Sequence, residues 1–251
     1  MRVKKLNING YDVFLYKTKR YSSINMKFLF ETDYSREWVY KADLLANYMS
    51  CSMDKYRTRK AINDRYMELY SPAWSIDNYA KGEKMLTTAS FSFYDPELVR
   101  DDYLEEAMSF ASEVLFRPNF EGGKLDEKEL SRCRDNILNK IADDLLDNQY
   151  KAYKNFMETM YPNTYITEDL FGSKEEAETL LHGYSSRDLI ECHDSIFNRS
   201  CVGLIIMGNV KDEYLKYIEK LFQFKSVKEL DENYNEELAI REEFPTYVKE
   251  T

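Results

Sequence analysis

Apolar and polar residues exchange places along this chain with two periods, and the switches between them delimit its elements. In residues 3–31, the stretches VKKLNIN, YDVFLYKT and INMKFLFE alternate with a period of two, which predicts three strands in a partial meander. Asn9-Gly10 is a two-residue turn signal between the first two strands, and Tyr21-Ser22-Ser23 is the next break. From Trp38 the period becomes helical. Trp38, Ala42, Leu45 and Met49 fall on one face, while Asp43 and Asn47, four apart, share a neighbouring face with Ala46 beside them. A short basic turn follows, ending near Arg57. A second helix is expected from Thr58 to Tyr70, with Ile62, Tyr66, Leu69 and Tyr70 on one stripe and Ser71-Pro72 as its stop.

Period two then returns. AWSIDNYA and KMLTTASFSF read as a hairpin turning at Lys81-Gly82-Glu83. Asp95-Pro96 breaks the second strand and opens a helix over roughly 99–116 that buries Leu104, Met108, Ala111 and Leu115. Arg117-Pro118 stops it, and Glu121 to Lys124 is a loop. A long helix is expected from Asp126 to Met160, bent near Asn148, with Leu130, Arg134, Ile137, Ile141 and Leu145 facing inward. The stretch after it reads as a loop ending in a short helix. Ser185 or Ser186 caps the next helix, which runs to about Asn198. CVGLIIMGNV is apolar and too short for a helix, so it reads as a central strand; Lys211 to Phe222 forms a last amphipathic helix. Strands and helices are segregated rather than alternating. That pattern predicts an α+β fold, a mainly antiparallel sheet with helices packed on one face.

Composition narrows the possibilities. Residues 1–224 are expected to form one domain, and the acidic stretch 225–251 a linker or tail leading toward a second half. Net charge is −10, which opposes phosphate backbones and argues against nucleic-acid binding; the short basic run Lys55 to Lys60 reads as a solvated helix start. No apolar run is long enough to span a membrane, and MRVKKLNING has no apolar stretch behind it to make a signal peptide. Cys51, Cys133, Cys192 and Cys201 are scattered without CxxC spacing, which suits buried free thiols in a reducing compartment, the cytoplasm of a bacterium-like cell. GxxxxGK[ST], GxGxxG and GxSxG are all absent.

Isolated chemistry-bearing residues have bland readings. His182 and His193 could bind a metal with Glu191 or Asp194, but they read better as a loop histidine and a partly exposed helix histidine. Cys192 and His193, being adjacent, point to different helix faces and do not pair as nucleophile and base. Cys133 near Lys140 could be a reactive thiol, although a core cysteine fits as well. Tyr48, Tyr56, Tyr66, Tyr70, Tyr79 and Tyr94 could line a peptide groove or serve as packing.

Four stretches taken in order carry a resemblance: KYRTRKAINDRYMELYSPAWSIDNYAKGE, CRDNILNKI, Asp169-Leu170-Phe171-Gly172 and SSRDLIECHDSIFNRSCVGLIIMGNV. Over residues 1–222 the chain resembles one homologous half of the M16 peptidases, the pitrilysin, insulinase and mitochondrial-processing-peptidase family. Active members carry H-x-x-E-H on the first helix, two zinc-binding histidines around a glutamate general base, with a third ligand on the long helix. The resemblance puts that motif on Asp43-Leu44-Leu45-Ala46-Asn47, the third ligand on Lys140 and a further acidic position on Cys133. An ammonium at 140 has no lone pair and repels the metal, Asn47 is a poor neutral ligand, and Ala46 cannot move a proton. The expectation is therefore a non-catalytic half without a cofactor, zinc being expected only in an active H-x-x-E-H partner. It would hold or enclose a peptide substrate in a homo- or hetero-oligomer, with the peptide adding to a sheet edge in the hairpin Trp74 to Phe93. Two alternatives stand beside it: an active zinc peptidase with an unrecognised metal site, and a peptide- or protein-binding assembly module.

Overall fold

Asn9 and Gly10 both take positive φ, 50° and 90°, closing the tight hairpin between β1 (Lys4–Ile8) and β2 (Tyr11–Lys17). The computed structural model describes residues 3–81, 84–99, 103–162, 167 and 173–229. The expected turn at Gly82-Glu83, the start of the third helix at 100–102, the motif Asp169 to Gly172 and the tail from 230 to 251 lie outside the described residues.

Six strands form one sheet in the order β1-β2-β6-β3-β5-β4, with β3 Ser23–Asp33, β4 Ala73–Lys81, β5 Lys84–Tyr94 and β6 Cys201–Gly208. The expected meander is interrupted, because β3 does not pair with β2. Between them lies β6, parallel to β2 and antiparallel to β3. All other pairings are antiparallel. The slot suits an apolar strand: Leu204 and Ile206 are fully buried, in register with Val13 and Leu15 of β2 and with Phe28 and Met26 of β3. Fully buried Phe28, Phe30 and Phe93 continue that helix-facing side; each such side chain contributes roughly 1.5–3 kcal/mol by leaving water.

Helices cover this side: α1 (Arg36–Met49), α2 (Arg59–Glu68), α3 (Tyr103–Phe116), α4 (Glu127–Leu146), α5 (Asn148–Met160), α6 (Lys174–Gly183), α7 (Ser186–Arg199) and α8 (Asp212–Leu221). The long expected helix is two. Asp147 takes ψ 124°, which ends α4, and its carboxylate then caps α5 by accepting from Tyr150 N. Ser185 caps α7 in a reciprocal capping box with Asp188. Past Phe224 the chain stays attached: Val227 bridges to Cys201, Lys228 N donates to the Cys201 carbonyl at 2.8 Å, and Lys225 pairs with Asp194.

The first helix is more enclosed than its single stripe predicts. Besides Ala42, Leu45 and Met49 it buries Tyr40, Leu44, Ala46 and Tyr48. The cause is its place in the fold, packed against α4, α6, α7 and strand β4.

Candidate functional site

Ser35 starts α1 by accepting from Trp38 N, and this sets the rotation of everything after it. At that rotation Ala46 is buried, while Asp43 and Asn47 are half-buried. Asn47 donates Nδ2 to the Asp43 main-chain carbonyl at 3.0 Å, one turn back on its own helix. The Asp43 carboxylate faces the sheet edge and accepts from Asn78 Nδ2 at 2.8 Å. Asn78 Oδ1 in turn accepts from Thr87 Oγ1 at 2.6 Å. The result is a polar relay from α1 through β4 to β5, on the helix-facing side of the last hairpin in the sheet.

Cys133 is fully buried, in the second turn of α4. Its thiol donates to Cys51 Sγ at 3.9 Å, and Cys51 Sγ lies 3.1 Å from the Asn47 carbonyl. Asn47 and Cys133 are thus brought together through Cys51. Lys140 lies seven residues farther along α4, about 10.5 Å up the axis on the same side. It is exposed and makes no ion pair among the described residues. No hydrogen bond or ion pair among the described residues ties Lys140 to Asp43, Asn47 or Cys133.

These donors do not fit a zinc ion. The one carboxylate already accepts from Asn78, the Asn47 amide nitrogen is turned to its own helix, Ala46 offers a methyl group and Lys140 a cation. Among the described residues no three His, Cys, Asp or Glu side chains converge on a point where an ion could sit. Ala46, at the position the resemblance gives to the general base, carries no titratable group. The arrangement can present hydrogen bonds and charge.

The two histidines depart from expectation. His182 lies in the last turn of α6 rather than in a loop. His193 is buried, not partly exposed, and donates Nε2–H to the Leu115 carbonyl at 2.8 Å. Burial lowers its pKa to about 4. The tyrosines do not share a groove: Tyr48 is a core residue whose hydroxyl donates to the Asn119 carbonyl and accepts from Asp126 N, whereas Tyr70, Tyr79 and Tyr94 are exposed. A cleft of about 580 Å³ lies on the sheet near Tyr16, Lys27, Trp74, Ile205 and Met207, with no cluster of titratable groups to give it chemistry.

The residues that complete the relay, Asn78 and Thr87, had a faint sequence signal. Trp74, Ile76 and Asn78 occupy alternate positions of β4, so an amide stands where the pattern asks for an apolar side chain.

No protein-family profile matches the chain, and no curated protein matches it. Solved structures do. A conserved protein from Enterococcus faecalis superposes with a TM-score of 0.81 at 19% identity, covering 94% of this chain and 56% of that one. A peptidase M16 inactive domain from Pseudomonas fluorescens gives 0.69 at 12% identity, covering 91% and 52%. The first half of the periplasmic protease PqqL from Escherichia coli gives 0.65 at 12% identity, covering 98% and 49%. The chain therefore has the M16 peptidase-like fold and spans about half the length of the structures it matches. No helix among the described residues is long and apolar enough to cross a membrane.

Proposed function

We propose that this chain is a non-catalytic M16-type half that binds or encloses a peptide beside an H-x-x-E-H zinc peptidase. The observation that carries the reading is the relay Asp43–Asn78–Thr87. Where a peptidase of this fold would keep its metal helix, this chain ties the helix to the sheet edge by amide and hydroxyl hydrogen bonds. The fold likeness to an M16 inactive domain supports it. Strand β4 ends the sheet order, so its outer backbone groups have no strand partner among the described residues and can pair with an extended peptide. The acidic balance of the chain favours cationic peptides. Four free buried cysteines support a cytoplasmic location.

The test mixes the purified chain with an H-x-x-E-H chain recovered with it from the native cell. Alone, this chain should leave a library of basic peptides intact with or without added zinc. Together, the two should cleave, and the cleavage should stop on chelation. Zinc-dependent cleavage by this chain alone would establish an active peptidase instead. Recovery with no H-x-x-E-H chain would favour an assembly module.

A further inference from the structure

We propose that Cys51 and Cys133 form a peroxide-oxidisable thiol pair that closes to a reversible disulfide between the end of α1 and the second turn of α4. This goes beyond the peptide-holding role and does not depend on it. Eighty-two positions separate the two residues in sequence, yet their sulfurs sit 3.9 Å apart, with the Cys133 thiol directed at the Cys51 sulfur and the Cys51 thiol at the Asn47 carbonyl. A disulfide needs about 2.05 Å between the sulfurs, so its closure calls for side-chain rotation and a helix shift. The other two cysteines supply the contrast. Neither Cys192 nor Cys201 bonds to another cysteine among the described residues, and burial pushes both thiols up to about 12.

The two members of the pair have distinct roles. Cys133 is fully enclosed and donates its S–H to Cys51, an arrangement that favours the Cys51 thiolate, with Arg59 and Arg132 adding to it. Burial and the Asn47 carbonyl, which faces the Cys51 sulfur, and the Glu129 carboxylate nearby all act in the opposite sense; the lowered direction prevails. Cys51 keeps some exposure, 7% against 0% for Cys133, so it is the sulfur a small oxidant meets.

The chemistry balances with hydrogen peroxide as the oxidant. The Cys51 thiolate attacks one peroxide oxygen, the O–O bond breaks, and hydroxide leaves and takes a proton as water, giving a sulfenic acid. Cys133 sulfur then attacks Cys51 sulfur. The S–O bond breaks, the Cys133 proton goes to the departing hydroxide, and a second water leaves. Overall, two thiols are oxidised by two electrons and one peroxide is reduced to two waters. The new bond would hold the last turn of α1, and with it Asn47, against α4.

The experiment treats the folded, reduced chain with hydrogen peroxide, unfolds it in denaturant under a thiol block, and counts thiols and maps linked fragments. The count should fall from four to two, with Cys51 joined to Cys133 inside one chain, and a dithiol reductant should restore four. Cys133→Ser should accumulate a sulfenic acid trappable by dimedone at Cys51, and Cys51→Ser should leave Cys133 reduced. A count that stays at four under conditions that oxidise glutathione would overturn the proposal, as would links between other cysteines or between chains. The wild-type count and map do not depend on either variant folding.

Discussion

His193 shows how much one side chain can decide. Its ring is held neutral among Phe120, Phe197 and the Leu115 carbonyl, with Asp194 and Lys225 as the nearest charges. The folded-state pKa of about 4 lies below the ordinary 6.5, so between those values the unfolded chain takes a proton that the folded chain refuses. Stability from this residue is fully present above about pH 6.5 and is lost as pH falls toward 4. The gap corresponds to about 3 kcal/mol. Urea midpoints measured from pH 7 to pH 4 should fall steeply in the wild type and more shallowly in His193→Gln. Equal slopes would show that the histidine is not the group responsible. The burial was legible in retrospect, since Leu189, His193 and Ile196 recur at helical spacing. The Asp43–Asn78 link was not, because 35 positions separate its members and no periodicity relates a helix to a strand.

At the scale of elements, local pattern carried most of the fold. The Asn9-Gly10 turn, the hairpin of β4 and β5, the Ser185 cap and the apolar run of β6 all stand where the sequence puts them. What local pattern could not supply was neighbourhood: that β6 parts β2 from β3, and that α1 is packed on several sides. The end of β6 yields a sharp test. Gly208 takes φ 141°, and a Cβ there would lie 2.6 Å from the Ser23 carbonyl oxygen and 2.9 Å from Ile24 Cα. Gly208→Ala should cost about 2 kcal/mol or more, lowering the melting temperature by roughly 4–8 °C. Gly183→Ala, at a site with nothing within 4 Å, should leave it nearly unchanged. If the two variants melt together, the close approach at Gly208 is not constraining the sheet.

For the whole molecule, the placement of β6 has a consequence in time. Without it the sheet is two separate pieces, the β1–β2 hairpin and the β3–β5–β4 ribbon, which among the described residues are joined only through the strand at Cys201–Gly208. A ribosome makes that strand after most of the other elements, so until then β2 and β3 each show an open edge. Nascent chains stalled ahead of Cys201 should therefore be digested throughout by a protease, and those extended past Leu221 should become resistant in a single step. Gradual gain of resistance with length would contradict this. A lesion that hampers this late insertion would surface first as clumped newborn protein, while molecules that did finish could still melt at close to the normal temperature.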